Sequence, residues 1–304
     1  MGAAEIDTFK RAWRERAANG RENPPTLEQQ RRLFDDEHGA IPLPVDCNVD
    51  VVEFDGGHAE RLTPHNANKE HLLIYHYGGG HIFGSLRIHR HFVARLAEAS
   101  RSIALNMHYR LAPECPYPCG LEDAVRDYRP ALHEGFAPSR VVVAGESAGG
   151  NLTAALLLKL RELALPLPAG AYLLSPWLDM ILSGDSYGAR ATHDPMLTRE
   201  ALEQCALAYC GGGGSPGDPY ISPLNASLHG LPPIYLHTGT DEILLSDAVG
   251  FARKAGLVGG SVYLSVWRDM VHAWPLFHSD LSSAAVAPFL KLDSGLPGSI
   301  NPAA

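Results

Sequence analysis

Short apolar, β-branched or aromatic runs recur along the chain at Val49–Phe54, Leu72–Tyr75, Ile103–Met107, Val141–Ala144, Ala171–Leu174, Ile234–His237 and Val262–Val266. Several are continuously apolar rather than alternating, the pattern of strands buried on both faces. Between them, helical periodicity covers roughly His89–Ser100, Leu121–His133, Asn151–Leu163, Ser246–Ala255 and Leu281–Leu292. Strand and helix in alternation predict an α/β fold, a mostly parallel sheet covered by helices. Two regions break the rhythm. Residues 1–45 look helical but are interrupted at Asn23-Pro24-Pro25 and again at Ile41-Pro42-Leu43-Pro44. Residues 183–230 are a long excursion between strands, with a helix near Thr198–Tyr209 and the run Gly211–Gly214. Excursions of this length inside a domain are usually lids or binding elements. The two pieces are read as one discontinuous cap over a core of residues 46–182 and 231–304. The glycine run reads as a surface loop, since no helix with Lys or Ser/Thr follows it to make a phosphate cradle.

Composition narrows the function. Of 304 residues, 45% are apolar and 19% charged, so a sizeable core can form. A net charge of −9 and the lack of any Lys/Arg block argue against nucleic acid and anionic lipid as partners. Apolar stretches such as Leu152–Leu158, interrupted only by Thr153, are far below the roughly 20 residues of a membrane span, so no stable membrane insertion is expected. No secretory signal is visible, and five cysteines are sparse and odd in number, which together suit a reducing, cytoplasmic setting. Cys115/Cys119 and Cys205/Cys210 lack zinc-site spacing and read as free thiols. Fifteen histidines are an excess that would serve a metal, a proton relay, or neither. His89 and His91, two residues apart on a predicted helix, do not face each other and make a poor metal pair.

The chemistry concentrates in Val141-Val142-Val143-Ala144-Gly145-Glu146-Ser147-Ala148-Gly149-Gly150-Asn151, which reads strand, small-residue turn, helix. In a G-x-S-x-G elbow the serine sits on a strained strand-to-helix turn, and glycines flank it where side chains would clash. The helix N-terminus and the Ala148 N–H then face the charge that develops during attack. The five-residue motif is weak alone, because a plain turn with a capping serine looks the same. Its setting strengthens it, and so does Tyr77-Gly78-Gly79-Gly80-His81 after an upstream strand, where backbone N–H groups could converge on a substrate oxygen. An acid and a base should follow in loops after late strands. Asp241 follows Ile234–His237 and His272 follows Val262–Val266, with Glu242 and Asp247 competing for the acid role. Asp247 reads as a cap or solvated charge of the next helix.

These motifs together resemble the hormone-sensitive-lipase-like α/β-hydrolases, the bacterial family IV carboxylesterases. The resemblance runs from about residue 72 onward and includes Gly78-Gly79-Gly80, Tyr109-Arg110-Leu111-Ala112-Pro113-Glu114, Gly145-Glu146-Ser147-Ala148-Gly149-Gly150-Asn151, Ser175-Pro176-Trp177, Ile221-Ser222-Pro223-Leu224 and Val271-His272-Ala273. It implies an α/β-hydrolase fold with Ser147 as nucleophile, His272 as general base then acid, and Asp241 orienting the imidazole. The N–H groups of Gly79, Gly80 and Ala148 would form the oxyanion hole, and Glu146 would organise neighbouring loops. Tyr77 stands where the family usually has a histidine that braces the glycine loop. A longer phenol implies a shifted loop or reshaped pocket, with His76 and His81 as partial substitutes. The implied substrates are carboxylic esters of short to medium acyl chain, or a specialised ester or lactone, with no cofactor. Trp13, Phe34, Trp177, Met196 and Trp274 are either pocket-lining or core. A homodimer is compatible with exposed edge strands. The alternative is a ligand-binding receptor on the same fold, which the presence of Ser147, Asp241 and His272 disfavours.

Overall fold

The computed structural model describes residues 7–8, 10–15, 25–43, 46–54, 56–133, 135–211 and 213–277. Eight strands form one sheet: β1 Cys47–Phe54, β2 Gly57–Pro64, β3 Asn68–His76, β4 Ser102–Met107, β5 Val141–Glu146, β6 Gly170–Leu174, β7 Ile234–Gly239 and β8 Val262–Trp267. Their order is β1-β2-β4-β3-β5-β6-β7-β8. Strand β2 pairs antiparallel with both β1 and β4, and every other pairing is parallel. All seven apolar runs lie in strands.

The eighth strand, β2, was not among the expected elements, because Gly-His-Ala-Glu-Arg-Leu-Thr-Pro is too polar to read as one. It is held by pairing with β1 and β4, and its side chains alternate between faces, with Leu62 buried on one and Ala59 on the other. Glu60 is buried beside them and pairs with Arg90 from the following helix.

The helices are α1 Leu27–His38, α2 Leu86–Ser100, α3 Cys119–His133, α4 Ala148–Glu162, α5 Ser186–Ala189, α6 Arg199–Cys210, α7 Leu245–Leu257 and α8 Trp274–Phe277. Helix α4 is apolar nearly all round, as a helix must be when it lies between a sheet (β3, β5, β6) and another helix (α3). Its Leu152, Leu156, Leu157 and Leu160 are fully buried, and each such burial contributes about 1.5–3 kcal/mol. Residues Leu281–Leu292, expected as a helix, lie outside the described residues.

A second apolar cluster sits beyond the carboxyl ends of the strands. Met180, Leu182 and Tyr187 pack there with Leu202, Cys205, Ala206 and Tyr209 of α6, against Ala148, Trp177 and Ile243 of the sheet side. Helix α1 buries no residue fully and is attached mainly by polar contacts. Arg31 donates to Ile82 O at 2.7 Å and Ala112 O at 2.8 Å and pairs with Glu114, while Ser85 donates to Asp35. The contacts to Ile82 and Ser85 land on the loop after β3, which carries the glycines, and those to Ala112 and Glu114 on the segment after β4.

Candidate active site

Ser147 sits between β5 and α4 at φ 55°, ψ −121°, an uncommon conformation for a residue with a side chain. Such strain persists only where the surroundings fix it. Here the Ser147 N–H donates to Leu174 O at 2.9 Å, and its carbonyl accepts from Trp177 N–H at 3.0 Å and Asn151 N–H at 3.1 Å. A Cβ on Gly145 would be driven into Gly149 O, and one on Gly149 into His76 O. The elbow glycines are therefore required by contact as well as by the turn.

After β3 the chain turns through Gly79 (φ 118°) and Gly80 (φ 63°), with Ile82 and Phe83 N–H returning to Gly79 O. Among the described residues, the N–H groups of Gly79, Gly80 and Ala148 donate to no protein acceptor. The loop is braced by Glu146, which is buried at the foot of the elbow. It accepts from the Gly78 N–H and the Tyr75 hydroxyl, and its Oε1 lies 2.8 Å from His89 Nε2.

Tyr77 gives no hydrogen bond to that brace. Its ring is enclosed, stacked on Tyr109 (4.6 Å) and His89 (5.3 Å), and its hydroxyl reaches His108 Nδ1 at 3.3 Å. His76 contacts Thr153 Oγ1 beneath the elbow, and His81 stacks on Tyr209 of α6 at 3.9 Å. The histidine that serves the glycine loop is thus His89, from α2, acting through Glu146. Sequence reasoning considered His89 only as a metal candidate. Among the described residues no group of three or more His, Cys, Asp or Glu could hold a metal ion.

His272 follows β8 and is enclosed, with Nδ1 3.3 Å from Glu242 Oε2. The expected partner, Asp241, is not at the imidazole; its Oδ2 lies 2.6 Å from Lys10 Nζ. Adjacent side chains in the turn after β7 leave on different sides. The Asp241 N–H donates to Met270 O at 3.0 Å, and Gly239 lets that carbonyl come close, so the His272 loop lies over Glu242. Glu242 Oε1 accepts from the Ser175 hydroxyl at 2.7 Å and from the Gly239 N–H. Ser175, at φ 44°, also accepts from the Ala273 N–H at 3.0 Å, so one hydroxyl ties the acid to the base loop. Asp247 is in the first turn of α7 as expected but is buried rather than solvated, accepting from Leu178 and Asp179 N–H and the Tyr187 hydroxyl.

Burial alone would push His272 down, but the carboxylates of Glu242, Asp194 and Glu146 outweigh it and hold the imidazole above its ordinary value. Burial raises Glu242, with His272 and Ser175 pulling it back in part. Asp194, which sequence reasoning missed, comes from the excursion between β6 and β7. It accepts from Met196 and Leu197 N–H and, at 2.9 Å, from the N–H of Ile243, next to Glu242. Its only sequence signal is an Asp before a Pro in a turn. Of the aromatic candidates, Trp177 and Trp274 are fully buried core residues. Met196 packs on the cluster of Met270, Val271 and Trp274. Trp13 and Phe34 gather around His38, with Phe277 closing the group.

Comparison with known proteins gives the family and the fold. A family model described as alpha/beta hydrolase fold matches residues 73–276. An acetyl-hydrolase of Streptomyces hygroscopicus is 38% identical over 229 residues, 75% of this chain and 76% of that protein. An esterase of Acinetobacter venetianus is 32% identical over 255 residues, 84% of this chain and 82% of that one. The crystal structure of an esterase from the bacterial hormone-sensitive lipase family superposes with a TM-score of 0.90 at 37% identity, covering 96% of this chain and 98% of that chain.

Proposed function

Since the chain belongs to the bacterial hormone-sensitive-lipase family of α/β-hydrolases and is an esterase, we propose that it hydrolyses carboxylic esters of short to medium acyl chain, or a specialised ester or lactone, through an acyl-enzyme on Ser147. In this reading residues 1–45 and 183–230 form the cap over the core. The reading is carried by the strained Ser147 elbow, placed at the head of α4 beside three N–H groups that have no acceptor among the described residues.

Ser147 Oγ attacks the ester carbonyl as His272 Nε2 takes its proton. Nδ1–H donates to Glu242, which fixes the tautomer that leaves Nε2 free to accept and stabilises the imidazolium. Negative charge on the carbonyl oxygen meets the N–H groups of Gly79, Gly80 and Ala148, reinforced by the α4 dipole. Collapse breaks the bond to the alcohol, which leaves with the proton from His272. Water, deprotonated by the same imidazole, then attacks the acyl-serine and releases the acid. Glu242 rather than Asp241 is the acid in this scheme. An acetyl-hydrolase among the relatives supports small acyl groups.

The test is hydrolysis of p-nitrophenyl acetate, butyrate, octanoate and palmitate by the native chain and by Ser147→Ala. Rates highest at the short end, with a loss of about 10⁴-fold or more in the variant, are expected. Equal rates in the two proteins, or no labelling of Ser147 by a fluorophosphonate, overturn the proposal.

A further inference from the structure

Asp241 and Glu242 are neighbours with opposite attachments, and the attachment of Asp241 is the less expected. Its carboxylate meets Lys10, 231 positions away, at 2.6 Å, and both side chains are largely shielded (11% and 15% exposed). Most surface pairs hold nothing in place, because solvent screens them and both side chains stay mobile. A shielded pair at this distance is different, since either charge left alone is poorly solvated. The backbone around Asp241 is itself fastened to the base loop: Asp241 N–H to Met270 O, Thr240 N–H to Trp267 O, and Asp269 N–H to Thr240 Oγ1 at 2.8 Å. Three residues beyond Lys10, Trp13 meets Phe277 edge-on at 6.0 Å, on the short helix that follows His272. The stretch 10–15 therefore touches the acid loop with one residue and the chain beyond the base with another.

We infer that Lys10 and Asp241 are positioning residues, whose ion pair clamps the N-terminal stretch onto the acid loop and so holds Glu242 in register with His272. The inference rests on the triad proposed above. Neither residue touches substrate; both act through the main chain of the residue beside the acid. Loss of the clamp should lower turnover at each functional serine without changing how substrate binds.

The experiment measures kcat and KM on p-nitrophenyl butyrate for Lys10→Met, Lys10→Gln, Asp241→Asn, Lys10→Met with Asp241→Asn, and the exchange Lys10→Asp with Asp241→Lys. Each rate is divided by the concentration of Ser147 titrated with a fluorophosphonate, so that misfolded protein does not count. Each single variant should lose about tenfold in kcat per titrated serine with KM within about twofold, and the double neutral variant should be no worse than either single. The exchanged pair should recover most of the loss. Unchanged kcat per titrated serine in both Lys10 variants overturns the inference. So does a loss of about 10³-fold in Asp241→Asn with Lys10→Met near native, which would make Asp241 the acid itself. Failure of the native chain to be labelled sinks the esterase mechanism instead, and is told apart by that.

Discussion

Replacing Glu242 by Gln tests the assignment of the acid with little change of shape. Glu242 Oε1 accepts from the Ser175 hydroxyl and the Gly239 N–H, so the amide oxygen of the new side chain will take that position and keep both bonds. The NH₂ then occupies the place of Oε2 and faces His272 Nδ1 at about the present 3.3 Å. A donor there can pair only with an unprotonated Nδ1. The imidazole is driven to the tautomer with its proton on Nε2, where it cannot accept from Ser147. Amide substitution of a triad acid costs about 10⁴-fold in kcat, and the length of this contact places the expected loss at about 10³–10⁴-fold, or about 4–5 kcal/mol of transition-state stabilisation. KM should stay within a few-fold, because Glu242 does not meet the substrate. A pH profile supplies a second readout. The proposed mechanism requires neutral His272, so kcat/KM should fall on the acid side as the imidazole, held above its ordinary value by carboxylates, takes up a proton. Removing the Glu242 charge lowers that affinity for the proton, and the acid limb should move to lower pH. Glu242→Gln within tenfold of native with an unmoved acid limb would refute the reasoning.

Ser175→Ala removes the donor to Glu242 and strands the buried Ala273 N–H. A kcat about 10–100-fold lower and a loss of about 1–3 kcal/mol in urea unfolding are expected, and native values in both would refute the role given to Ser175. Acid should destabilise the fold through its buried imidazoles. Burial holds His76 and His81 down at about 3 and His237 at about 4, so the unfolded chain takes up protons first as pH falls through 6.5. Stability present above 6.5 is lost below it, by up to about 1.4 kcal/mol per such group at one pH unit lower. His272, with its raised value, offsets part of this because its contribution is complete below 6.5. A net loss on the order of 3 kcal/mol between pH 7.5 and 5.5, read from urea midpoints, is the expected result, and an unchanged midpoint contradicts it.

The histidine excess shows what kind of information a single sequence withholds. Most of these residues read as solvated or loop imidazoles, yet His71, His76, His81, His89, His91 and His237 are buried along with His272. Their polarity conceals burial in the same way that Glu60 and Arg61 conceal β2. Periodicity detects a strand by its apolar side chains, and a strand whose inward positions include a paired carboxylate gives too little signal. The runs that are apolar throughout were legible because burial on both faces leaves no other composition stable.

The site divides along the same line. Ser147 and its flanking glycines could be read from the sequence because the elbow is local, with the tightest forbidden contacts made within the motif or by the strand beside it. His272 could be read from strand order, since consecutive parallel strands deliver their loops to one edge. The acid could be read only as a loop. Which of two adjacent carboxylates meets the imidazole is settled by what competes for each: Ser175, 67 positions before Glu242, and Lys10, 231 positions before Asp241. Neither partner is visible in the local sequence of Thr240-Asp241-Glu242-Ile243. The same holds for the brace of the glycine loop, where a histidine is missing at position 77 and His89 of α2 stands in through Glu146. A motif specifies what must be present at a site. The residue that supplies it is set by the chain that packs there, so a departure such as Tyr77 says little until its replacement is sought on another element.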